Sequence, residues 1–403
     1  MSHKVSVRNI YKIFGGDPSE AMGLLEAGRT KEEIFSQTGQ TVGVRDISFD
    51  VEEAQIFVVM GLSGSGKSTL VRMINGLISP TSGQILIDDV DVASCSKEAL
   101  RQVRRDKVAM VFQHFALFPH KTVGENVAYG LKVKGVGPDE RREKALRSLA
   151  QVGLEAYADS YPDELSGGMQ QRVGLARGLA AEPEILLMDE PFSALDPLIR
   201  RDMQEELLEL QRSLKKTIIF ITHDLNEALI LGDQIAIMKD GRFVQVGTAE
   251  EIVDKPADDY VAAFTQDIDR SRVFDIDSVM SDPQTLDASA TSVALALTRM
   301  EELDRDALFV TDATGGIAGL VTYRGLTAAA RSGGTLDSVL VRDIHTIRRD
   351  VHLHDIYIPA SEGMPVAVVD DAGKLVGVVE PHAVFAQLTG SDTVSEGTRR
   401  AAP

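Results

Sequence analysis

Nine residues constrain this chain more than any others: Gly61-Leu62-Ser63-Gly64-Ser65-Gly66-Lys67-Ser68-Thr69, a GxxxxGK[ST] loop. It follows the β-rich run Ile56–Met60, and the residues behind it suit a helix. Strand, glycine turn and helix start, in that order, predict an α/β fold with a phosphate cradle at the end of a strand. Glycines let the backbone amides turn inward without side-chain clash. The new helix adds the positive end of its dipole. Lys67 offers a point charge to the β- and γ-phosphates of a nucleotide, and Ser68 a hydroxyl to Mg²⁺.

The neighbouring segments read the same way. Strand signals cover Val5–Phe14, Val42–Val51, Gln55–Met60, Val108–Phe112, Ile185–Met188 and Thr217–Thr222, and helical ones cover 97–107, 139–151, 166–181 and 197–214. This alternation predicts a parallel sheet. Residues 18–40 interrupt it as a helical insertion. Ile185-Leu186-Leu187-Met188 ends in Asp189-Glu190. An acidic pair there is ordinarily a solvated strand end. Beside a phosphate loop the balance reverses: Asp189 holds Mg²⁺, mostly through water, and Glu190 orients or deprotonates an attacking water. Ser166-Gly167-Gly168-Met169 opens a helix with a second cluster of exposed amides, where an ordinary serine cap is the competing reading.

Composition sets the boundaries. At 403 residues the chain needs two or three domains. A formal charge of −19 argues against nucleic acid as a partner. The single cysteine, Cys95, excludes an internal disulfide and suits a reducing compartment. No apolar run approaches the roughly 20 residues of a spanning helix, so any membrane role passes through a partner. After Arg270 the pattern changes to a duplicated plan over about 276–330 and 341–390. Leu308-Phe309-Val310-Thr311-Asp312 in one copy is echoed by Val366-Ala367-Val368-Val369-Asp370 in the other. The expected division is therefore 1–270, 271–395 and a frayed tail at 396–403.

With three further landmarks the chain resembles the ATP-binding-cassette (ABC) transporter ATPases. Leu165-Ser166-Gly167-Gly168-Met169-Gln170 is similar to their signature motif, Gln113 to their Q-loop, Ser193-Ala194-Leu195-Asp196 to their D-loop and His223 to their switch histidine. The resemblance implies a P-loop NTPase core, a helical subdomain at about 115–175 and an antiparallel β subdomain. It implies ATP and Mg²⁺ as cofactors, with Lys67, Glu190 and His223 catalytic. Gly61, Ser63, Gly64, Ser65, Gly66, Lys67, Ser68 and Thr69 would hold nucleotide, and Ser68, Gln113 and Asp189 the metal. In this family two copies sandwich two nucleotides, so Ser166, Gly167, Gly168, Met169 and Asp196 complete the site of a second subunit. Phe14 stands where the family stacks adenine, with Tyr11 as its rival.

Within the family the chain resembles osmoregulatory glycine betaine/proline importers. The insertion, Arg45-Asp46-Ile47, Tyr161–Met169 and Phe192–Arg200 carry that likeness. It implies a bacterial subunit peripheral to the cytoplasmic face of the inner membrane. It also implies a transmembrane permease as direct partner and an extracytoplasmic solute-binding protein as indirect one. Choline, carnitine and methionine remain alternative cargoes. The duplicated region is similar to tandem cystathionine-β-synthase (CBS) domains. Val321-Thr322-Tyr323 and Val379-Glu380-Pro381 stand where nucleotide-binding copies usually carry a ribose-holding Asp, so a regulatory nucleotide, dimerisation and packing all stay open. The basic stretch Lys97, Arg101, Arg104, Arg105 and Lys107 suits an anionic lipid surface or a plain solvated helix. DNA-repair cassettes insert long coiled coils between loop and signature, whereas about a hundred residues separate Lys67 from Ser166 here.

Overall fold

The computed structural model describes residues 3–113, 116–349, 351–356 and 363–389, so the expected tail at 396–403 lies outside the described residues. The chain divides into two compact units, Met1–Asp267 and Ile268–Pro403.

The first unit contains β1 (Val5–Phe14), β2 (Thr41–Val51), β3 (Ile56–Met60), β4 (Ser82–Ile87), β5 (Val90–Asp91), β6 (Val108–Phe112), β7 (Ile185–Asp189), β8 (Thr217–Thr222), β9 (Gln234–Lys239) and β10 (Arg242–Gly247). The larger sheet runs β10-β9-β3-β8-β7-β6. It is parallel apart from the antiparallel edge strand β10. Every residue of β3, β7 and β8 is buried. That is why these segments read as unbroken apolar runs: a parallel strand covered on both faces has no solvent side to alternate with. The smaller sheet, β2-β1-β4-β5, is antiparallel. Val5, Val7, Ile10, Val44 and Ile85 from it pack with Phe57, Val59 and Leu187 of the larger sheet in one core.

The insertion forms helices Ser19–Glu26 and Lys31–Thr38. Thr30 and Glu33 close a capping box at the start of the second, and Gly39 ends it in the left-handed conformation. Ile13, Ala21, Ile34 and Val42 anchor the pair to the ends of β1 and β2. Helices Val123–Val127, Tyr129–Val133, Pro138–Gln151 and Gly167–Ala180 pack mainly on one another.

Register places the site. Met60 lies beside Thr222, Asp189 beside Ile221, and Phe112 beside Asp189. The glycine loop after β3, Gln113 after β6, Glu190 after β7 and His223 after β8 therefore leave the sheet at the same edge.

The second unit holds β11 (Met280–Ser281), β12 (Thr285–Asp287), β13 (Ala307–Thr311), β14 (Ile317–Thr322), β15 (Thr346–Arg348), β16 (Val366–Val369) and β17 (Leu375–Val379). The duplication is visible in the pairing. β12 and β13 are parallel, and β13 and β14 antiparallel; β15, β16 and β17 repeat this, with irregularities at the matching positions Val310/Thr311 and Val368/Val369. Each copy also borrows from the other. β11, which leads into the first copy, pairs with β17, and Val341, which leads into the second, bridges Leu320 of β14. Phe309 and Leu320 share a cluster with Ala367 and Val378, and Arg305 of one copy pairs with Glu380 of the other at 2.9 Å. The first copy also keeps a cluster of its own around Leu286, Met300, Val310, Val321 and Leu326. Between β15 and β16 the described residues hold the 3-10 turn Leu353–Ile356.

A chain ending at Asp267 is expected to unfold in one cooperative transition. Its thermal midpoint should stay within about 4 °C of the first unit's transition in the full chain, the shift that ~1 kcal/mol produces in a domain of this size. A truncated chain without near-native circular dichroism would contradict the division at 267.

Candidate functional site

The glycine loop is held from behind. The Gly241 N–H donates to the Ser65 carbonyl at 2.9 Å, and the Arg45 N–H donates to the Gly241 carbonyl at 2.8 Å. Gly61 and Gly66 have φ of +156° and +111°, and a Cβ on either would lie 2.2 Å from the Met238 carbonyl oxygen or 2.4 Å from that of Gly43. The turn joining β9 and β10 and the end of β2 thus seat the loop so closely that only glycine fits these two points. Leu62, Ser63 and Gly64 remain exposed, so the open side of the loop faces solvent.

Lys67 begins the helix Lys67–Ile74 and is 4 % exposed. Its Nζ donates to the carbonyls of Gly61 at 2.7 Å and Leu62 at 3.2 Å, and lies 3.6 Å from Glu190 Oε1. Burial pushes its ammonium below the ordinary lysine value, against the pull of Glu190 and Asp189. Ser68 Oγ donates to Asp189 Oδ1 at 3.0 Å. Glu190 has a φ of +47°, which a glutamate rarely adopts. Its N–H donates to the Ile221 carbonyl of β8, and the Ser193 hydroxyl to its own carbonyl. The turn thereby sets its carboxylate between Lys67 and His223, whose Nδ1 is 2.9 Å from Glu190 Oε2.

These residues fit a polyphosphate and a hydrated divalent cation. Ser65 Oγ is buried without a hydrogen-bond partner, an orphan that an anionic ligand would satisfy. Ser68 and Asp189 give two oxygen donors side by side. That suits Mg²⁺, which keeps several waters and takes the remainder from phosphate. Among the described residues there is no group of three or more His, Cys, Asp or Glu placed for a metal.

The other expected residues fall into two places. Gln113 follows Phe112, the neighbour of Asp189 across the sheet. Ser166 caps the helix Gly167–Ala180 through the Met169 N–H, and Asp196 caps Pro197–Leu214 through Leu198 and Ile199. These two helix starts touch: a Cβ on Gly168 would lie 2.6 Å from Ile199 Cγ2. Ser166 and Gly167 are exposed and, among the described residues, make no hydrogen bond to the glycine loop. One chain thus presents a phosphate cradle and, separately, an uncovered amide cluster.

Of the two aromatic candidates, Phe14 lies against Gly43, whose carbonyl abuts Gly66, and is 39 % exposed. Tyr11 is turned toward Asp46, and burial raises its hydroxyl pKa. Irregular register along β1 breaks the two-residue period, so the sequence alone does not say which ring faces the loop. The supports at Met238–Gly241 carry no sequence signal beyond the Asp240-Gly241 turn.

Comparison with known proteins agrees with this geometry. Residues 44–193 match the ABC transporter family. The chain is 48 % identical over 398 residues to the glycine betaine transport ATP-binding protein OpuAA of Bacillus subtilis, covering 98 % of this chain and 95 % of that one. It is 48 % identical over 383 residues to the glycine betaine/proline betaine transport system ATP-binding protein ProV of Escherichia coli, covering 94 % and 96 %. Among solved structures, the dimeric ATP-binding cassette MJ0796 in a post-hydrolysis state with ADP and Pi is similar, with a TM-score of 0.51 and 33 % identity. It covers 60 % of this chain and 98 % of that one.

Phe14→Ala is expected to weaken ATP binding about two- to tenfold, the worth of one aromatic stack, whereas Tyr11→Phe should leave it unchanged. Titration with a fluorescent ATP analogue checks this, and the reverse ranking would move adenine to Tyr11.

Proposed function

The chain belongs to the ATP-binding subunits of ABC transporters, and on that premise we propose that it hydrolyses ATP to drive uptake of glycine betaine, proline or a related quaternary amine through a transmembrane permease. The near full-length identity to glycine betaine transport ATP-binding proteins carries this reading. The described residues contain no helix long and apolar enough to cross a membrane. The permease supplies the pathway, and a solute-binding protein delivers cargo to it. The subunit sits against the permease at the cytoplasmic face.

In this reading the loop amides of Gly61–Thr69 and Lys67 hold the β- and γ-phosphates. Lys67 exchanges its bonds to the Gly61 and Leu62 carbonyls for phosphate oxygens, which releases Glu190 from its neighbour at 3.6 Å. Glu190 then accepts the proton of the attacking water. His223, already 2.9 Å from Glu190 through Nδ1, lies beside that carboxylate and turns its other ring nitrogen toward the γ-phosphate. Ser68, Asp189 and Gln113 would hold Mg²⁺, which when bound offsets charge between the phosphates. Phe14 stacks on adenine. Ser166–Met169 and Asp196 of a second copy close the open side, so neither copy is competent alone. Residues 271–395 act as a regulatory pair of CBS type.

A groove of about 520 Å³ supports the permease as partner. Arg101, Arg105, Tyr129, Val133, Lys134 and Arg177 line it. Arg104 is drawn inward to the carbonyls of Asn75 and Gly76, so the helix Lys97–Asp106 is packed rather than merely solvated. Arg177 donates to the Ala116 carbonyl at 2.6 Å, tying the groove to the segment that follows Gln113. A cytoplasmic segment of the permease with apolar and acidic side chains fits there, and its movement would reach Gln113.

Glu190→Gln should leave ATP binding intact and lower hydrolysis about a hundredfold or more. It should also give an ATP-stabilised dimer on size exclusion, and a persistent monomer would count against the sandwich. Reconstitution with the permease and binding protein should give ATP-dependent betaine uptake into proteoliposomes. Uptake of choline, carnitine or methionine in preference would reassign the cargo.

A further inference from the structure

Behind His223 lies a buried polar network that the phosphate chemistry does not use. Glu227, in the helix Leu225–Leu231, is 3 % exposed. Its Oε2 accepts from the Thr222 hydroxyl at 2.6 Å, and its Oε1 accepts from Gln204 Nε2 at 3.2 Å. The same Thr222 oxygen accepts the Asp224 N–H at 2.9 Å. Glu227 therefore grips the residues on both sides of His223. Arg200, in the first turns of Pro197–Leu214, reaches this cluster from the opposite side. Nη1 donates to Asp224 Oδ2 at 3.3 Å, Nη2 donates to the Leu195 carbonyl at 3.2 Å, and Nε stands 3.8 Å from Glu227 Oε1. Leu195 directly precedes Asp196 in the loop that caps the Arg200 helix.

We propose that Arg200 and Glu227 are positioning residues that join the Leu195–Asp196 loop to His223, so that engagement of that loop by a second copy sets the histidine of the same chain. A guanidinium suits this because its planar fork addresses two groups at once, here a loop carbonyl and the Asp224 carboxylate. The network is also one bond short. Arg200 Nε is buried with no hydrogen-bond partner, and Glu227 Oε1, 3.8 Å away, is too distant for a hydrogen bond. A small advance of the loop would complete that bond and draw Glu227, Thr222 and the His223 turn together. Burial and the Asp224 carboxylate raise the Glu227 pKa while the Thr222 hydroxyl, Arg200 and Gln204 oppose the rise, so the added Arg200 contact favours its charged form. The inference rests on the sandwich reading, in which Asp196 faces the partner subunit.

The test measures ATP hydrolysis and ATP binding on the full chain for Arg200→Lys, Glu227→Gln and the double variant. Each single change is expected to lower kcat about fivefold or more, with KM and Kd for ATP held within about twofold. The double variant should be no worse than the weaker single, the mark of coupled residues. Thermal unfolding of the same proteins separates folding from positioning: a lowered midpoint with unchanged kcat, or additive losses in the double variant, would overturn the proposal. The Glu190→Gln dimer on size exclusion separates the two readings. If that dimer forms while Arg200→Lys and Glu227→Gln hydrolyse normally, the network assignment fails and the sandwich stands. If it does not form, the sandwich itself has failed.

Discussion

The backbone of the glycine loop is fixed by contact with two carbonyls, those of Met238 and Gly43, that leave no room for a Cβ on Gly61 or Gly66. Everything chemical in the first unit takes its position from that seat. The Gly241 amide locks Ser65 from below, the helix starting at Lys67 leaves along a set direction, and the Lys67 ammonium is buried among carbonyls and acids. A buried cation is costly unless its neighbours are anionic. Lys67 is therefore poised to exchange carbonyl partners for phosphate, while a surface lysine would stay with water.

Sheet order does the rest. Because β3 lies between β8 and β9, and β7 beside β8, strand pairing brings the acids at the end of β7 and the histidine after β8 to the same edge as the loop. The strained turn at Glu190 aims its carboxylate across that edge. The signature amides are borne by a different group of helices and are left uncovered, which makes the single chain a pair of half-sites. On the proposed reading, hydrolysis then requires two copies. The Arg200–Glu227 network adds a route by which one half-site reports to the histidine of its own chain.

The legible parts of this protein are those whose physics is local. The glycine loop needs glycine at fixed steps, and strands β3, β7 and β8 are apolar throughout because no face meets water. The capped start at Ser166 follows from a side chain that accepts its own helix amide. What is hidden depends on distant partners. Strand β4 opens with three exposed residues, Ser82-Gly83-Gln84, and looks like a loop until β1 pairs with it. Arg200, Gln204 and Glu227 look like ordinary solvated helix residues, and only the packing of the helices Pro197–Leu214 and Leu225–Leu231 on each other buries Gln204 and Glu227. In the second unit the copies are visible in the sequence, but the exchange of leading strands is not, because it depends on which copy each strand reaches.

The central claim is that a phosphate loop of one copy is completed by the signature of another. The most direct measurement mixes two single-cysteine chains in a Cys95→Ser background, one carrying Leu62→Cys and the other Ser166→Cys, so that no link within one chain is possible. Under mild oxidation, ATP should produce a disulfide-linked heterodimer that is absent without nucleotide and lost on reduction. Equal or no crosslinking with and without ATP would contradict the account.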